Sequence, residues 1–224
     1  SGGGMSNTNS SPTLTNVTFT NNTAPTTGGG VNNSNNSSPT LTNVTFTGNT
    51  AASGGGMLNT NTSNATLVDV TFTNNSATSD GGGMTNANFS NPALTNVVFT
   101  NNSAGSGGGM VNLSASDPSL TDVTFSGNTA TNGGGMENDA GSDPTLTDVT
   151  FDGNRATNGG GMYNISSSPT VTDVTFSNNQ ATTNGGGIYN TTASRPIVTN
   201  VTFSGNTATN GGGVYNINTG SSTL

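Results

Sequence analysis

A triple glycine recurs along this chain, starting at Gly2, Gly28, Gly54, Gly81, Gly107, Gly133, Gly159, Gly185 and Gly211. Seven of the eight gaps are 26 residues and one is 27. A fixed period of this length is the signature of a solenoid, in which each repeat forms one coil and buries its apolar residues against the next. It predicts a single elongated domain over residues 1–224 rather than a compact globule. Only 27% of the residues are hydrophobic and 5% charged, a polarity that by itself suits disorder. The apolar residues, however, fall in strict register, which disordered chains seldom show.

The unit from Gly159 to Asn184 displays the pattern. Val174, Thr175 and Phe176 alternate apolar, polar, apolar, the period of a half-buried strand. Taken coil by coil, each position forms a column. Phe19, Phe46, Phe72, Phe99, Phe125, Phe151, Phe176 and Phe203 form an unbroken core stack. A Val column lies two residues earlier, from Val17 to Val201, and an Ala column five residues later, from Ala24 to Ala208. A Leu or Val column runs from Leu14 to Leu224, and Met, Val or Ile follows each triple glycine. All these columns are assigned to the interior. Leu14 and Val17 are three residues apart, so both point inward only if the strand bends or bulges near Asn16. The result is an all-β fold, a parallel β-helix of about 26 residues per coil, roughly 8.5 coils and three short strands per coil. Its expected hand is right, as for nearly all parallel crossovers.

Two polar columns never change. Three residues after each Phe stands Asn22, Asn49, Asn75, Asn102, Asn128, Asn154, Asn179 or Asn206. The second column is Asn7, Asn33, Asn59, Asn86, Asn112, Asn138, Asn164, Asn190 and Asn216. An amide can donate to one neighbour and accept from the other, so stacked asparagines are expected to form buried structural ladders.

At these residues the chain resembles the repeats of chlamydial-type polymorphic outer-membrane proteins and related bacterial surface proteins. Their hallmarks are FxxN and GGA followed by Ile, Leu or Val. FxxN occurs here in eight coils, for instance Phe46 to Asn49, and the second motif appears as GGG followed by Met, Val or Ile, for instance Gly185 to Ile188. Gly thus stands where the motif has Ala. The resemblance implies a secreted or surface-exposed β-helical passenger, often adhesive.

Composition excludes several alternatives. Ten acidic residues against two arginines give a net charge of -8, with no Lys and no His. Nucleic-acid binding needs cationic side chains to neutralise phosphates, so no nucleic-acid partner is expected, and anionic membrane surfaces are disfavoured. Without Cys neither disulfides nor thiolate metal sites can form. No apolar run suits a membrane span or a signal peptide, so no membrane insertion by this segment is expected. Arg155 and Arg195 occupy separate columns, and strict repetition disfavours a unique catalytic pocket. No enzyme, cofactor or metal centre is therefore predicted. Neither end shows a polar cap, which points to a segment of a longer protein or to a filament subunit whose ends are covered.

The remaining candidates are outward columns. Tyr163, Tyr189 and Tyr215 form a candidate contact surface for sugar rings or a neighbouring subunit, at the position that earlier coils fill with Ser6, Asn32, Leu58, Thr85, Val111 and Glu137. Asp122, Asp148 and Asp173 share a column otherwise mostly Asn. The pairs Thr18 and Thr20, Thr45 and Thr47, and Thr71 and Thr73 look like the T-x-T array of β-solenoid ice-binding proteins. The expectation is an extracellular or cell-surface β-solenoid with a structural or adhesive role, either a passenger stalk or a filament subunit. Its partners would be further copies, through end-to-end or lateral contacts, or a cell-surface or glycan partner. Ice binding and carbohydrate binding are the alternatives.

Overall fold

The computed structural model describes residues 2–218 and 220–223, so the terminal Leu224 of the Leu column lies outside the described residues. Among those residues the fold is all strand and turn, wound into about eight turns roughly 26 residues apart. A strand of three or four residues follows each triple glycine, as in Met84–Ala87 and Met110–Leu113, and nine such strands make one parallel sheet. A second parallel sheet of 13 strands holds the Leu and Phe segments. In three consecutive coils the two segments are continuous, Thr66–Thr73, Ala93–Thr100 and Ser119–Ser126. Elsewhere they separate into short strands such as Thr145–Thr147 and Thr150–Asp152. The third face is fragmentary. Thr50–Ser53 pairs with Ser76–Asp80, Arg155–Asn158 with Gln180–Asn184, and isolated bridges such as Ser103 to Thr129 join other coils.

Register is like on like: Met84 lies between Met57 and Met110, and Phe99 between Phe72 and Phe125. Besides the first residue of each triple glycine from Gly28 onward, three kinds of corner with positive φ recur. The first is the bend between the Leu and Val columns. Asn16, Asn43, Asp69, Asn96, Asp122, Asp148, Asp173 and Asn200 all have φ of 52–57° there. Asn and Asp tolerate this left-handed conformation better than other side chains, which explains why the column contains nothing else. The second follows each Phe by two residues, at Asn21, Gly48, Asn74, Asn101, Gly127, Gly153, Asn178 and Gly205. FxxN is therefore a strand end, a left-handed turn and an inward Asn. The third corner joins the post-glycine strand to the Leu segment.

The glycines have separate reasons, clearest in Gly81, Gly82 and Gly83. Gly81 has φ +60°, and a Cβ there would lie 2.2 Å from Met84 O. At Gly82 it would lie 2.5 Å from Gly108 O in the next coil. At Gly83, the position of the motif's Ala, it would lie 2.6 Å from Gly109 O and 2.7 Å from Phe99 Cδ1. Here the Phe ring and the next coil's backbone together occupy the volume a methyl group would need.

The Phe, Val, Leu and post-glycine columns make one apolar cluster from Leu14 to Ile188. Val17, Val201 and Phe203 are partly buried against it at the outer coils. Phe rings stack at centroid separations of 4.6–5.2 Å with interplanar angles of 2–11°. That separation is the strand spacing itself. The Ala column is also buried, except that Ala104 and Ala208 are only half covered, but it does not belong to the apolar cluster.

Replacement of Gly83 by Ala should lower unfolding stability by about 1–3 kcal/mol, the usual cost of overpacking, as read from denaturant or thermal melting of the 224-residue chain. Unchanged stability would show that the ring and backbone around Gly83 yield freely.

Candidate functional site

In the six inner coils the inward Asn after Phe uses all of its hydrogen-bonding capacity. Asn102 Oδ1 accepts from the backbone N–H of Asn75 at 2.9 Å and from Asn75 Nδ2 at 3.0 Å. Asn102 Nδ2 donates to Phe72 O at 2.9 Å and to Asn128 Oδ1 at 3.0 Å. Two donors and two lone pairs are the whole inventory of an amide. The same set recurs at Asn49, Asn75, Asn128, Asn154 and Asn179. Asn22 and Asn206 end this column and have fewer partners. The second Asn column passes a single Nδ2-to-Oδ1 bond from coil to coil at 2.8–2.9 Å, from Asn7 through Asn112 to Asn216. These amides are occupied in holding coils together.

A third polar ladder escaped the sequence reading. Ser37, Ser63, Ser90, Ser116, Ser142, Ser167 and Ser194 are fully buried, and each accepts a backbone N–H from the preceding coil, as Ser116 Oγ does from Ser90 N at 3.1 Å. Most return the bond locally, as Ser63 Oγ to Thr60 O at 2.7 Å. The signal was available: these serines stand two residues before a proline in nearly every coil, for instance Ser90 before Pro92.

Tyr163, Tyr189 and Tyr215, expected to face outward, are half exposed and lie outside the apolar core. The equivalent residues from Asn32 to Glu137 are buried, Val111 completely. The turn before the triple glycine folds back over them. Thr85 Oγ1 donates to Asp80 O at 2.8 Å and approaches Ser53 Oγ at 3.4 Å. Only the bulk of Tyr163, Tyr189 and Tyr215 brings their side chains to half exposure. Their rings stack at 5.1 and 5.5 Å with tilts of 33° and 26°.

Glu137 lies in this covered column, in register with Val111 and Tyr163 and only 6% exposed. Its Oε2 has no hydrogen-bond partner. Burial pushes its carboxyl up to about 7, opposed by a hydrogen bond from Ser106 and assisted by the charges of Asp139 and Asp80. The neighbouring Tyr163 hydroxyl is pushed up to about 12, first by burial, then by Glu137, Tyr189 and Asp139.

The acidic column Asp122, Asp148 and Asp173 sits on the left-handed bends described above. Where Asn follows Asp in the stack the pair bonds, as Asn96 Nδ2 to Asp69 Oδ1 at 2.6 Å and Asn200 Nδ2 to Asp173 Oδ1. Among the described residues no group of three or more His, Cys, Asp and Glu could hold a metal ion. Nor, among them, is any helix long and apolar enough to cross a membrane.

The FxxN turn and the triple glycine both fall within segments that match a known repeat family. The chain matches the Chlamydia polymorphic membrane protein (Chlamydia_PMP) repeat at residues 16–34, 69–83, 122–135, 173–191 and 200–217. Each matched segment starts at the left-handed Asn or Asp bend and runs through the Phe and Asn columns into the glycines. The chain is thus similar to that repeat family over these five segments. No curated protein and no solved structure matches it. This likeness and the β-solenoid fold fit a protein of the surface-passenger type.

The position of Glu137 gives a pH dependence. Below pH 4.5 the carboxyl is neutral in both the folded and unfolded chain. Between pH 4.5 and about 7 only the folded chain keeps the proton, so stability falls as pH rises. Above that window the buried charge costs about 3 kcal/mol. Glu137→Gln should therefore melt like the parent at pH 4 and be more stable than it at pH 8 by about 1–3 kcal/mol. Parallel pH profiles for the two proteins would contradict this account.

Proposed function

We propose that this chain is an extracellular, surface-displayed β-solenoid whose role is structural and adhesive, as a passenger stalk or a filament element. The observation that carries the reading is the contrast between interior and surface. The Phe and Val columns are invariant and packed through the stack, and the Asn columns are invariant and hydrogen-bonded from coil to coil, while the outer positions change. Such a rod is stiff along its axis and presents varied faces to partners. The match to the Chlamydia polymorphic membrane protein repeat supports the surface setting. The net charge of -8 disfavours nucleic acid and anionic lipid surfaces as partners. Partners would be other copies of the chain, through end-to-end or lateral contacts, or neutral cell-surface groups.

Beads coated with the 224-residue chain should be retained on cultured cell layers above albumin-coated beads, and equal retention would remove the adhesive role. Electron microscopy separates the two structural forms: end-joined fibres support the filament element, and isolated rods of roughly 40 Å, about eight strand spacings, support the stalk.

One observation favours ice binding as a second reading. Thr13, Thr15, Thr18 and Thr20 stand in register with Thr40, Thr42, Thr45 and Thr47 on one parallel sheet, the side chains between them turned inward. The array decays further along, at Val98, Asp152 and Ile197. If it engages ice, the chain should show thermal hysteresis that Thr45→Tyr abolishes. A parent protein without hysteresis ends this reading.

A further inference from the structure

The third corner of the coil carries a feature that the repeat does not explain. In six coils it contains two successive left-handed residues, and the second of these is Asn36, Thr62, Phe89, Ala115, Gly141 or Ala193. Phe89 has φ +61° and is 62% exposed. A bulky side chain in this backbone region is a strained exception, and strain of this kind collects at functional sites. The exposed ring gains little from packing to offset it. Phe89 is the most exposed large apolar side chain among the described residues.

The ring borders an open cleft of about 590 Å³ whose other walls include Asn35, Asn36, Asn61, Thr62 and Asn88. No charged residue lines it. The amides form a surface ladder: Asn61 Nδ2 donates to Asn35 Oδ1 at 3.0 Å, and Asn88 Nδ2 donates to Asn61 Oδ1 at 3.1 Å. Thr62 Oγ1 donates to Asn36 Oδ1. These bonds fix the side chains without using them up. Asn35 Nδ2, Asn36 Nδ2 and Asn88 Oδ1 keep their capacity for an outside partner. The cleft thus combines preset amide donors and acceptors with one exposed aromatic face.

We propose that this corner, with Phe89 as its platform, is a binding site for a neutral saccharide. Sugar hydroxyls both donate and accept, as the amides do, and the C–H face of a pyranose packs on an aromatic ring. The acidic chain disfavours sulfated and uronic-acid glycans by repulsion. The site lies in a different column from the Tyr ladder, at the corner that follows the post-glycine strand. This inference rests on the surface-display reading only for its biological setting.

The test is an array of neutral oligosaccharides of glucose, galactose, mannose and N-acetylhexosamines, probed with the 224-residue chain, Phe89→Ala and Phe89→Trp. The parent should bind at least one series, Phe89→Ala should bind it at least ten-fold more weakly, and Phe89→Trp should retain it. Melting temperature should not fall in Phe89→Ala, because the ring is exposed. Absence of binding by the parent, or binding that Phe89→Ala leaves intact, overturns the site. A melting temperature that falls with Phe89→Ala would assign the ring to packing and overturn it too. Coated-bead retention is read separately, so an adhesive rod that ignores neutral glycans is distinguished from a rod that adheres to nothing.

Discussion

Everything in this molecule depends on the coil-to-coil backbone ladder. Successive N–H groups from Gly81 to Met84 all donate to the next coil, at 2.9–3.2 Å. With parallel strands in register, each side chain meets its own equivalent above and below at the strand spacing. A column therefore lasts only if its residue is complementary to itself. Phe meets this by ring stacking, and Asn by donating on one side and accepting on the other. A buried carboxylate meets it poorly, because like charges at this spacing repel, and the run Asp122, Asp148 and Asp173 persists at exposed bends open to solvent. Glu137 shows the consequence: Val111 and Tyr163 flank it, and its second oxygen finds no partner.

The same constraint explains what could be read from sequence. Columns visible as repeated letters became columns in space, and the three-residue gap between Leu14 and Val17 called for the bend that Asn16 makes at φ +57°. What escaped was information carried by a set of permitted residues rather than by one letter. Asn21 and Gly48 differ as letters, but both adopt the left-handed turn two residues after Phe. The Ser ladder escaped because Ser ahead of Pro is ordinarily a turn signal rather than a buried one. The burial of Leu58, Thr85, Val111 and Glu137 in the Tyr column also escaped, because strand alternation separates two faces but does not say whether a neighbouring segment covers the second. Here the turn before the glycines does so, and its cover is sequence-local to Ser53, Asp80 and Ser106 rather than to the column itself.

Substitution of Gly for the Ala of the related surface-protein motif has a comparable origin. The third glycine is enclosed by the next coil's carbonyl and by the Phe ring of its own coil, at distances no methyl group could keep. The close fit lets the Phe stack approach the glycine backbone. The match to the repeat family thus covers the FxxN turn and the glycines, and in this chain the third glycine is what lets the Phe ring and the next coil's carbonyl come so close.

A scaffold this uniform leaves few places for a particular function. Inside the ladders every coil must do what its neighbours do. The corner after the post-glycine strand is released from that rule. Coils with 17 residues from the first Gly to Phe have one left-handed residue there, Asn9 or Ser166, and those with 18 have two. A residue can thus be gained or lost at this corner while Phe99 still faces Phe72 and Phe125. The second left-handed position tolerates Gly, Ala, Thr, Asn and Phe alike, because it packs against nothing that repeats. Specificity on a β-solenoid is best sought at such positions, where the stack tolerates difference, and Phe89 is the clearest difference this stack contains.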